Sequence, residues 1–264
     1  MQHLYLHLRV YIVFQRAFTT AKQTAKLVIT LLFSLPLVTG AWADEPADGP
    51  EMLGWYHFYA PNPGAVVAAM DKFWASDCGK EYPADVVLAA EVFNGGNAAS
   101  HFILNTYPNA AAQEKAVNMM ATCAGGQEFL RELQAADVVG TRQMLGFHAV
   151  EGGDWTKDAA FAKFDIKVEA RNQGAYVAAW QKMMAAVMED IDISSYGVGA
   201  IVFGNDAFSH WVYVGAKTST ELAAAQQAIL THPAFATFVQ ETSTLRENVN
   251  TTLIQVIKGY SKAQ

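Results

Sequence analysis

The feature that most constrains this sequence is an internal repeat. Residues 62–70 match residues 172–180 at an offset of 110 positions, and residues 90–93 match residues 200–203 at the same offset. The tripeptide at 100–102 matches the one at 209–211 after a one-residue deletion. Matches in the same order at nearly constant spacing indicate that one structural unit occurs twice. We predict that the two copies occupy residues 44–152 and 153–264.

Each copy contains the same order of predicted elements. A strand precedes a helix that opens at Asn62 in the first copy and Asn172 in the second, and Asn is a favoured N-cap residue. Two strands joined by a turn rich in Asn and Gly, an alanine-rich helix and a closing strand complete the copy. This βαββαβ order is that of a ferredoxin-like unit, whose sheet carries both helices on one face. We therefore predict the α+β class, with two tandem ferredoxin-like units packed as an intramolecular α+β barrel.

Residues 1–43 have the composition of a secretory signal peptide. They contain no Asp or Glu, they carry four Lys or Arg, and an apolar run at 27–38 precedes Ala41-Trp42-Ala43. A run of about 12 residues is shorter than the roughly 20 that a helix needs to span a bilayer. We predict cleavage after Ala43, no stable membrane anchor, and a periplasmic or secreted mature chain.

Charge and missing motifs exclude several classes of function. All 25 Asp and Glu follow residue 43, together with 14 of the 18 Lys and Arg. Nucleic-acid binding needs clustered Lys and Arg that displace counterions from phosphates, so we expect no nucleic-acid partner. The motifs of dinucleotide folds, P-loops, zincins, α/β-hydrolase esterases and c-type cytochromes are also missing from the sequence. A small organic molecule is the expected partner.

Two cysteines, Cys78 and Cys123, are present. In an oxidising compartment an isolated pair most simply forms one disulfide, which is our prediction. Two free buried thiols are the alternative. The spacing does not match a structural zinc site, which takes four ligands in close pairs.

Candidate site residues come from the sheet face that we expect the helices to leave uncovered. His101 and His210 occupy the same position in each copy, so we predict that they face each other across the barrel as catalytic residues. The alternative is that a Ser-His strand start was simply repeated by duplication. The predicted ligand-binding residues on the same face are Trp55, His57, Tyr59, Asn105, Arg142 and His148.

The segment at 229–238, Ile-Leu-Thr-His-Pro-Ala-Phe-Ala-Thr-Phe, resembles the second-helix region of antibiotic-biosynthesis-monooxygenase-like domains. These belong to the dimeric α+β barrel superfamily, which includes tandem members. The resemblance implies that His232 is a candidate haem ligand, although Cys123 occupies its place in the first copy. The superfamily includes haem-binding oxygenases and peroxidases, cofactor-free oxygenases, isomerases and decarboxylases, so the fold alone determines no chemistry.

Three hypotheses about function follow. The first is a periplasmic or secreted protein that binds a small organic molecule in a pocket between its two copies, with no cofactor. The second is an oxygenase or haem-binding enzyme of the same fold, in which a histidine acts as base or axial ligand. The third is a structural or interaction domain whose barrel is only a packed core.

Overall fold

The computed structural model describes residues 49–204 and 207–261. The predicted signal peptide lies outside this part of the chain. In the part that is described, no helix is both long and apolar enough to cross a membrane.

The two copies have matching elements. In the first copy these are β1 (Met52–Tyr59), α1 (Pro63–Ala75), α2 (Asp77–Lys80), β2 (Asp85–Val92), β3 (His101–Tyr107), α3 (Ala110–Thr122), α4 (Ala124–Ala135) and β4 (Val139–Gly153). A one-turn 3₁₀ helix, Trp155–Lys157, connects the copies. The second copy contains β5 (Ala160–Val168), a 3₁₀ turn (Ala170–Asn172), α5 (Gln173–Asp190), β6 (Ser195–Phe203), β7 (His210–Ala216), α6 (Ser219–Thr231), α7 (Pro233–Thr242) and β8 (Arg246–Tyr260).

The eight strands form one closed antiparallel barrel in the order β1-β3-β2-β8-β5-β7-β6-β4. The prediction of two tandem ferredoxin-like units packed as an α+β barrel is therefore wrong. The finding that overturns it is hydrogen bonding between the copies, because β2 pairs with β8 and β4 pairs with β6. Within residues 49–204 and 207–261, one continuous sheet closes on itself.

The length of β4 and β8 explains the closure. Each has 15 residues, against seven to nine in the other six strands. One part of β4 pairs with β1 and the other part pairs with β6, and β8 joins β5 to β2 in the same way. A strand edge with unpaired N–H and C=O groups is a liability that closure removes.

Side chains alternate between the barrel interior and the helix-covered outside. Leu53 and Trp55 of β1 belong to a buried cluster inside the barrel, whereas Phe58 packs in a second cluster under the helices of the first copy. A third cluster, which includes Ile166 and Trp180, lies under the helices of the second copy. The period-two alternation of strands therefore separates the interior from two outer cores.

Local signals at the helix starts are partly confirmed. The side chain of Asn62 accepts a hydrogen bond from the backbone N–H of Ala65 and caps α1, as predicted. Asn172 makes no such bond, because the chain enters α5 through a 3₁₀ turn that leaves this residue in a helical conformation.

The predicted disulfide between Cys78 and Cys123 is present. Their Cα atoms are 6.4 Å apart, and the bond ties α2 to the junction of α3 and α4. The backbone beside it is tightly packed, because a Cβ on Gly125 would lie 2.6 Å from the Ser76 hydroxyl oxygen.

Candidate functional site

The barrel interior contains a cavity of about 180 Å³ to which both copies contribute. Its walls are mainly aromatic, and the rings of Trp55 and Phe102 lie 4.8 Å apart while those of Trp55 and Trp211 lie 5.8 Å apart. Such distances are typical of tilted and edge-to-face aromatic pairs. The aromatic residues that line the cavity are Trp55, Phe102, Trp155, Phe161, Trp211 and Tyr213.

Unpaired polar atoms collect in this interior. Among the described residues, the buried side-chain atoms that lack a hydrogen-bond partner belong to Trp55, His57, Glu91 and Tyr213. All four side chains lie at interior-facing positions, and Trp55 and Tyr213 line the cavity itself. Most buried polar groups in folded proteins are paired, so unpaired donors here indicate a place for a polar partner. Burial raises the pKa of Tyr213, which keeps its hydroxyl protonated.

Lys163 and Asp165 form a buried ion pair on β5. Their side chains are 2% and 5% exposed, so both charges are withdrawn from water. The ammonium group of Lys163 lies 5.6 Å from the ring centre of Trp55 and 5.1 Å from that of Phe208. Lys163 also lines the cavity and brings a cation to its wall. Sequence reasoning missed Lys163, because a lone lysine in a strand usually faces solvent.

His148 is the histidine that lines the cavity among those that the structure describes. Its ring centre lies 5.6 Å from that of Tyr213 and 6.0 Å from that of Trp211. Its Nδ1 is 2.8 Å from a carboxylate oxygen of Glu151. Burial lowers the pKa of His148, and the Glu151 carboxylate opposes that shift. The net effect favours a neutral imidazole near pH 7, which is the form that accepts a proton.

His57 faces the interior as predicted and lies beside Glu91. The Nδ1 of His57 is 3.2 Å from Oε1 of Glu91, but the two groups are not aligned for a hydrogen bond. The His57 ring stacks on Trp55, with an angle of 8° between the planes. This pair extends the polar surface of the interior beyond the cavity.

The segment between the two copies borders the cavity. Trp155, Thr156 and Asp158 of this segment all line it. The buried carboxylate of Asp158 accepts hydrogen bonds from the hydroxyls of Ser194, at 2.6 Å, and Ser195, at 2.5 Å. These bonds hold the segment against the start of β6.

The structure places His101 and His210 outside the barrel interior, under the helices. The His101 ring stacks on Phe58 at 5.9 Å, and the His210 ring lies 6.0 Å from Tyr176. The expectation that they face each other across the barrel is therefore not met. The sequence does not show which side chains of β3 and β7 face the interior, because residues on both sides of these strands are almost wholly buried and polar and apolar positions do not alternate. Their catalytic role remains a prediction without support from this placement.

The serine before each histidine makes the same contact in both copies. Ser100 Oγ lies 2.8 Å from Nδ1 of His101, and Ser209 Oγ lies 2.9 Å from Nδ1 of His210. Burial lowers the pKa of both histidines. Two duplicated, buried and neutral histidines with local partners fit the structural alternative stated above.

The remaining predicted ligand-binding residues lie outside the cavity lining. Asn105 also lies on the helix side, where its side-chain N–H groups donate to the hydroxyls of Tyr82 and Tyr107. Tyr59 is 49% exposed at the end of β1. Arg142 is half-buried, with its guanidinium carbon 5.2 Å from the ring centre of Phe208.

His232 caps α7 at the molecular surface. Its Nδ1 accepts a hydrogen bond from the backbone N–H of Ala234 at 3.1 Å, and its Nε2 is 3.2 Å from a carboxylate oxygen of Asp190. Both ring nitrogens have protein neighbours, and the side chain does not line the barrel cavity.

The cavity does not fit haem. Pockets that hold drug-sized ligands measure roughly 300–1,000 Å³, and a four-pyrrole macrocycle exceeds the 180 Å³ found here. None of His101, His210 and His232 lines the cavity, and the ring of His148 is flanked by aromatic side chains. We therefore derive no step through a haem iron. Among the described residues, no group of three His, Cys, Asp or Glu side chains is arranged to hold a metal ion.

Comparisons with known proteins bear on the fold. No family model and no curated protein sequence matches the chain. A candidate monooxygenase from Fusobacterium nucleatum has a similar solved structure, with a TM-score of 0.59, 12% identity and coverage of 81% of this chain and 96% of that one. The structure of an anthrone oxidase-like protein is similar with a TM-score of 0.58 and 12% identity, over 82% of this chain and 95% of that one. The structure of a candidate monooxygenase from Lactobacillus acidophilus is similar with a TM-score of 0.56 and 9% identity, over 81% of this chain and 97% of that one.

The chain shares the fold of these proteins. The predicted resemblance to antibiotic-biosynthesis-monooxygenase-like domains is not confirmed. Sequence identities of 9–12% show a shared fold and do not show a shared activity.

Proposed function

We propose that the barrel interior binds a small, planar aromatic molecule that accepts hydrogen bonds. The observation that carries this proposal is the pairing of aromatic walls with two unpaired donors, the indole N–H of Trp55 and the hydroxyl of Tyr213. A flat apolar ring matches the walls, and a phenol or carbonyl oxygen matches the donors. The volume of about 180 Å³ suits a compound of one or two rings.

The binding proposal is tested by calorimetric titration of residues 44–264 with 1-naphthol. Tyr213→Phe removes the hydroxyl alone and is expected to weaken binding about tenfold, the effect of losing one hydrogen bond of roughly 1.4 kcal/mol. Ala89→Leu is expected to abolish binding, because Ala89 lines the cavity and a larger side chain would fill it. Tyr82→Phe is the matched control, since Tyr82 packs under the helices of the first copy. Equal affinities in all four proteins would refute the proposal.

A second candidate function is an oxygenase reaction on the bound molecule. Of the structural neighbours named above, two are candidate monooxygenases and one is an anthrone oxidase-like protein. In this chain, the specific observation in favour is His148, a part-buried imidazole at the cavity wall with Glu151 beside its Nδ1. A neutral imidazole can take the proton of a phenol and leave an electron-rich phenolate, which is the form of a phenol that reacts most readily with oxygen.

Oxygen uptake with anthrone as the probe separates the two candidates. For an oxygenase we expect turnover that His148→Gln reduces by at least 100-fold, within the range attributed to general base catalysis. If the wild type consumes no oxygen with anthrone, or if His148→Gln consumes it at the same rate, the oxygenase candidate is refuted and binding remains the proposed function. Haem titration is expected to give no saturating Soret shift, and a shift that His148→Gln removes would contradict our reading of the cavity.

We also propose that the mature chain acts in the periplasm or outside the cell. The acid-free, apolar start of the sequence and the disulfide of the first copy support this location. Mass spectrometry of the protein from a periplasmic fraction is expected to show a chain that begins at Asp44. A full-length chain confined to the cytoplasm would refute the proposal.

A further inference from the structure

We propose that the second copy holds a separate ligand site for carboxylates with an unbranched apolar tail. The site is a cavity of about 270 Å³ between the helices α5, α6 and α7 and the outer face of β5 and β7. It lies on the opposite side of the sheet from the barrel interior, since Ile166 and Val212 line it whereas Lys163 and Trp211 line the interior cavity. It therefore does not depend on the function proposed above.

The cavity has an apolar body and a polar rim. Its buried walls include Trp180, Met183 and Met184 of α5 and Ile229 of α6. Methionine side chains adapt to flexible apolar ligands because they are unbranched and polarizable. Among the polar lining residues, Gln226 and Arg246 are part-exposed and Asn248 is exposed, so these three form the rim. An apolar cavity with a single cation at its mouth matches an amphiphile with one anionic end.

Arg246 is positioned to hold that anionic end. Its Nε donates to the hydroxyl of Thr242 at 3.1 Å, and its guanidinium carbon lies 5.2 Å from the ring centre of Phe238. These contacts fix the plane of the guanidinium group, and no carboxylate among the described residues forms an ion pair with it. The charge of Arg246 also opposes the burial that raises the pKa of Tyr176, another residue of the cavity wall. The terminal N–H groups remain for the two oxygens of a carboxylate.

The first copy shows that the fold does not require this cavity. Trp74 occupies the position that Met184 occupies in the second copy, at the offset of 110. Its ring stacks on Tyr260 at 5.5 Å and lies 5.8 Å from Tyr82, which fills the corresponding region with aromatic side chains. The counterpart of Arg246 is Asp137, at the offset of 109 that applies to this part of the repeat. Protein interiors are normally close-packed, so a cavity of this size in the second copy, with a cation at its mouth, indicates a ligand.

The test is calorimetric titration of residues 44–264 with decanoate, 1-decanol and decyltrimethylammonium. We expect decanoate to bind at one equivalent, decanol to bind at least tenfold more weakly and the cation not to bind. Arg246→Gln is expected to weaken decanoate at least tenfold and to leave decanol unchanged. Lys258→Gln is the control, because Lys258 is an exposed cation of β8 that already pairs with Asp71. Decanoate affinity that is absent, equal to that of decanol, or equally reduced in both variants would overturn the proposal.

A second variant tests the place of binding. Met184→Trp introduces the residue of the first copy and is expected to abolish binding of both decanoate and decanol. Ile229→Phe fills the same cavity and serves if Met184→Trp does not fold. Decanoate is expected to bind Tyr213→Phe with unchanged affinity, because Tyr213 lines only the barrel interior. Binding that survives filling of the cavity, or that Tyr213→Phe removes, would refute this location.

Discussion

Lys163 and Asp165 lie two residues apart on β5, and both side chains point into the barrel. Burying two charges costs several kcal/mol of solvation free energy for each ion, which their mutual attraction offsets only when the pair is intact. The neighbouring aromatic rings of Trp55 and Phe208 recover part of that cost through cation–π contacts. The pair is therefore stable as a unit, and each member is unfavourable alone.

Asp165→Asn is expected to lower the free energy of unfolding by about 3–5 kcal/mol, because it leaves the buried ammonium of Lys163 without its carboxylate. The double variant Lys163→Met/Asp165→Leu is expected to regain most of that loss, since it removes both charges. Urea unfolding followed by circular dichroism measures both. Equal stability of the single variant and the wild type would show that the pair contributes nothing.

His101, His148 and His210 give the fold a dependence on pH. Burial lowers the pKa of all three below the ordinary value of 6.5. The unfolded chain then binds protons at a higher pH than the folded chain, so stability is complete above about pH 6.5 and falls as the pH drops below it. For each proton that the unfolded chain binds in excess of the folded chain, the free energy of unfolding falls by about 1.4 kcal/mol per unit decrease in pH. His210→Gln is expected to make this slope shallower in urea unfolding between pH 6.5 and 5, and an unchanged slope would contradict the assignment.

At the scale of elements, the two copies are supported in different ways. The first copy has the Cys78–Cys123 bond across α2, α3 and α4, together with the stacked rings of Trp74 and Tyr260. The second copy has neither and contains a cavity beneath its three helices. In both copies, the helices cover one face of the strands and leave the other face to the barrel interior.

The double variant Cys78→Ser/Cys123→Ser is expected to lose about 4 kcal/mol of stability, because the bond closes a segment with a sequence separation of 45 residues. The comparison is urea unfolding of this variant and of the wild type with and without reductant. Reduced wild type should behave like the variant. A wild type that is indifferent to reductant would mean that the bond does not constrain the unfolded chain.

At the scale of the whole molecule, the barrel joins the two copies through two seams, β2 with β8 and β4 with β6. Each long strand pairs with both copies, since β4 bonds to β1 and β6 while β8 bonds to β5 and β2. Separation of the copies would expose two rows of unpaired backbone groups. The cavity inside the barrel exists only while both copies are folded.

Thermal unfolding of residues 44–264 is therefore expected to be a single transition, with equal calorimetric and van't Hoff enthalpies. Trp180→Ala, a core substitution in the second copy, is expected to lower the midpoint for probes in both copies together. Hydrogen exchange of β1 and of β5 provides the two probes. Two separate transitions would show that the copies fold independently.

The sequence by itself determined the duplication, the α+β class, the positions of most strands and helices, and the disulfide. These follow from local periodicity, capping and cysteine count, which operate over a few residues or within one copy. It also placed Trp55 and His57 together in the interior, because residues two apart on a strand share one face, and it placed His148 there as well.

Only the tertiary structure decided how the copies join and which side chains meet. Strand pairing between copies depends on the reach of β4 and β8, and long-range hydrogen bonding leaves no local pattern to read. The face of His101 and His210 was ambiguous because their strands are buried on both sides, so a shift of one residue exchanges interior and exterior. The burial of Lys163 depends on Asp165 and on aromatic rings from other strands, which come together only when the barrel closes.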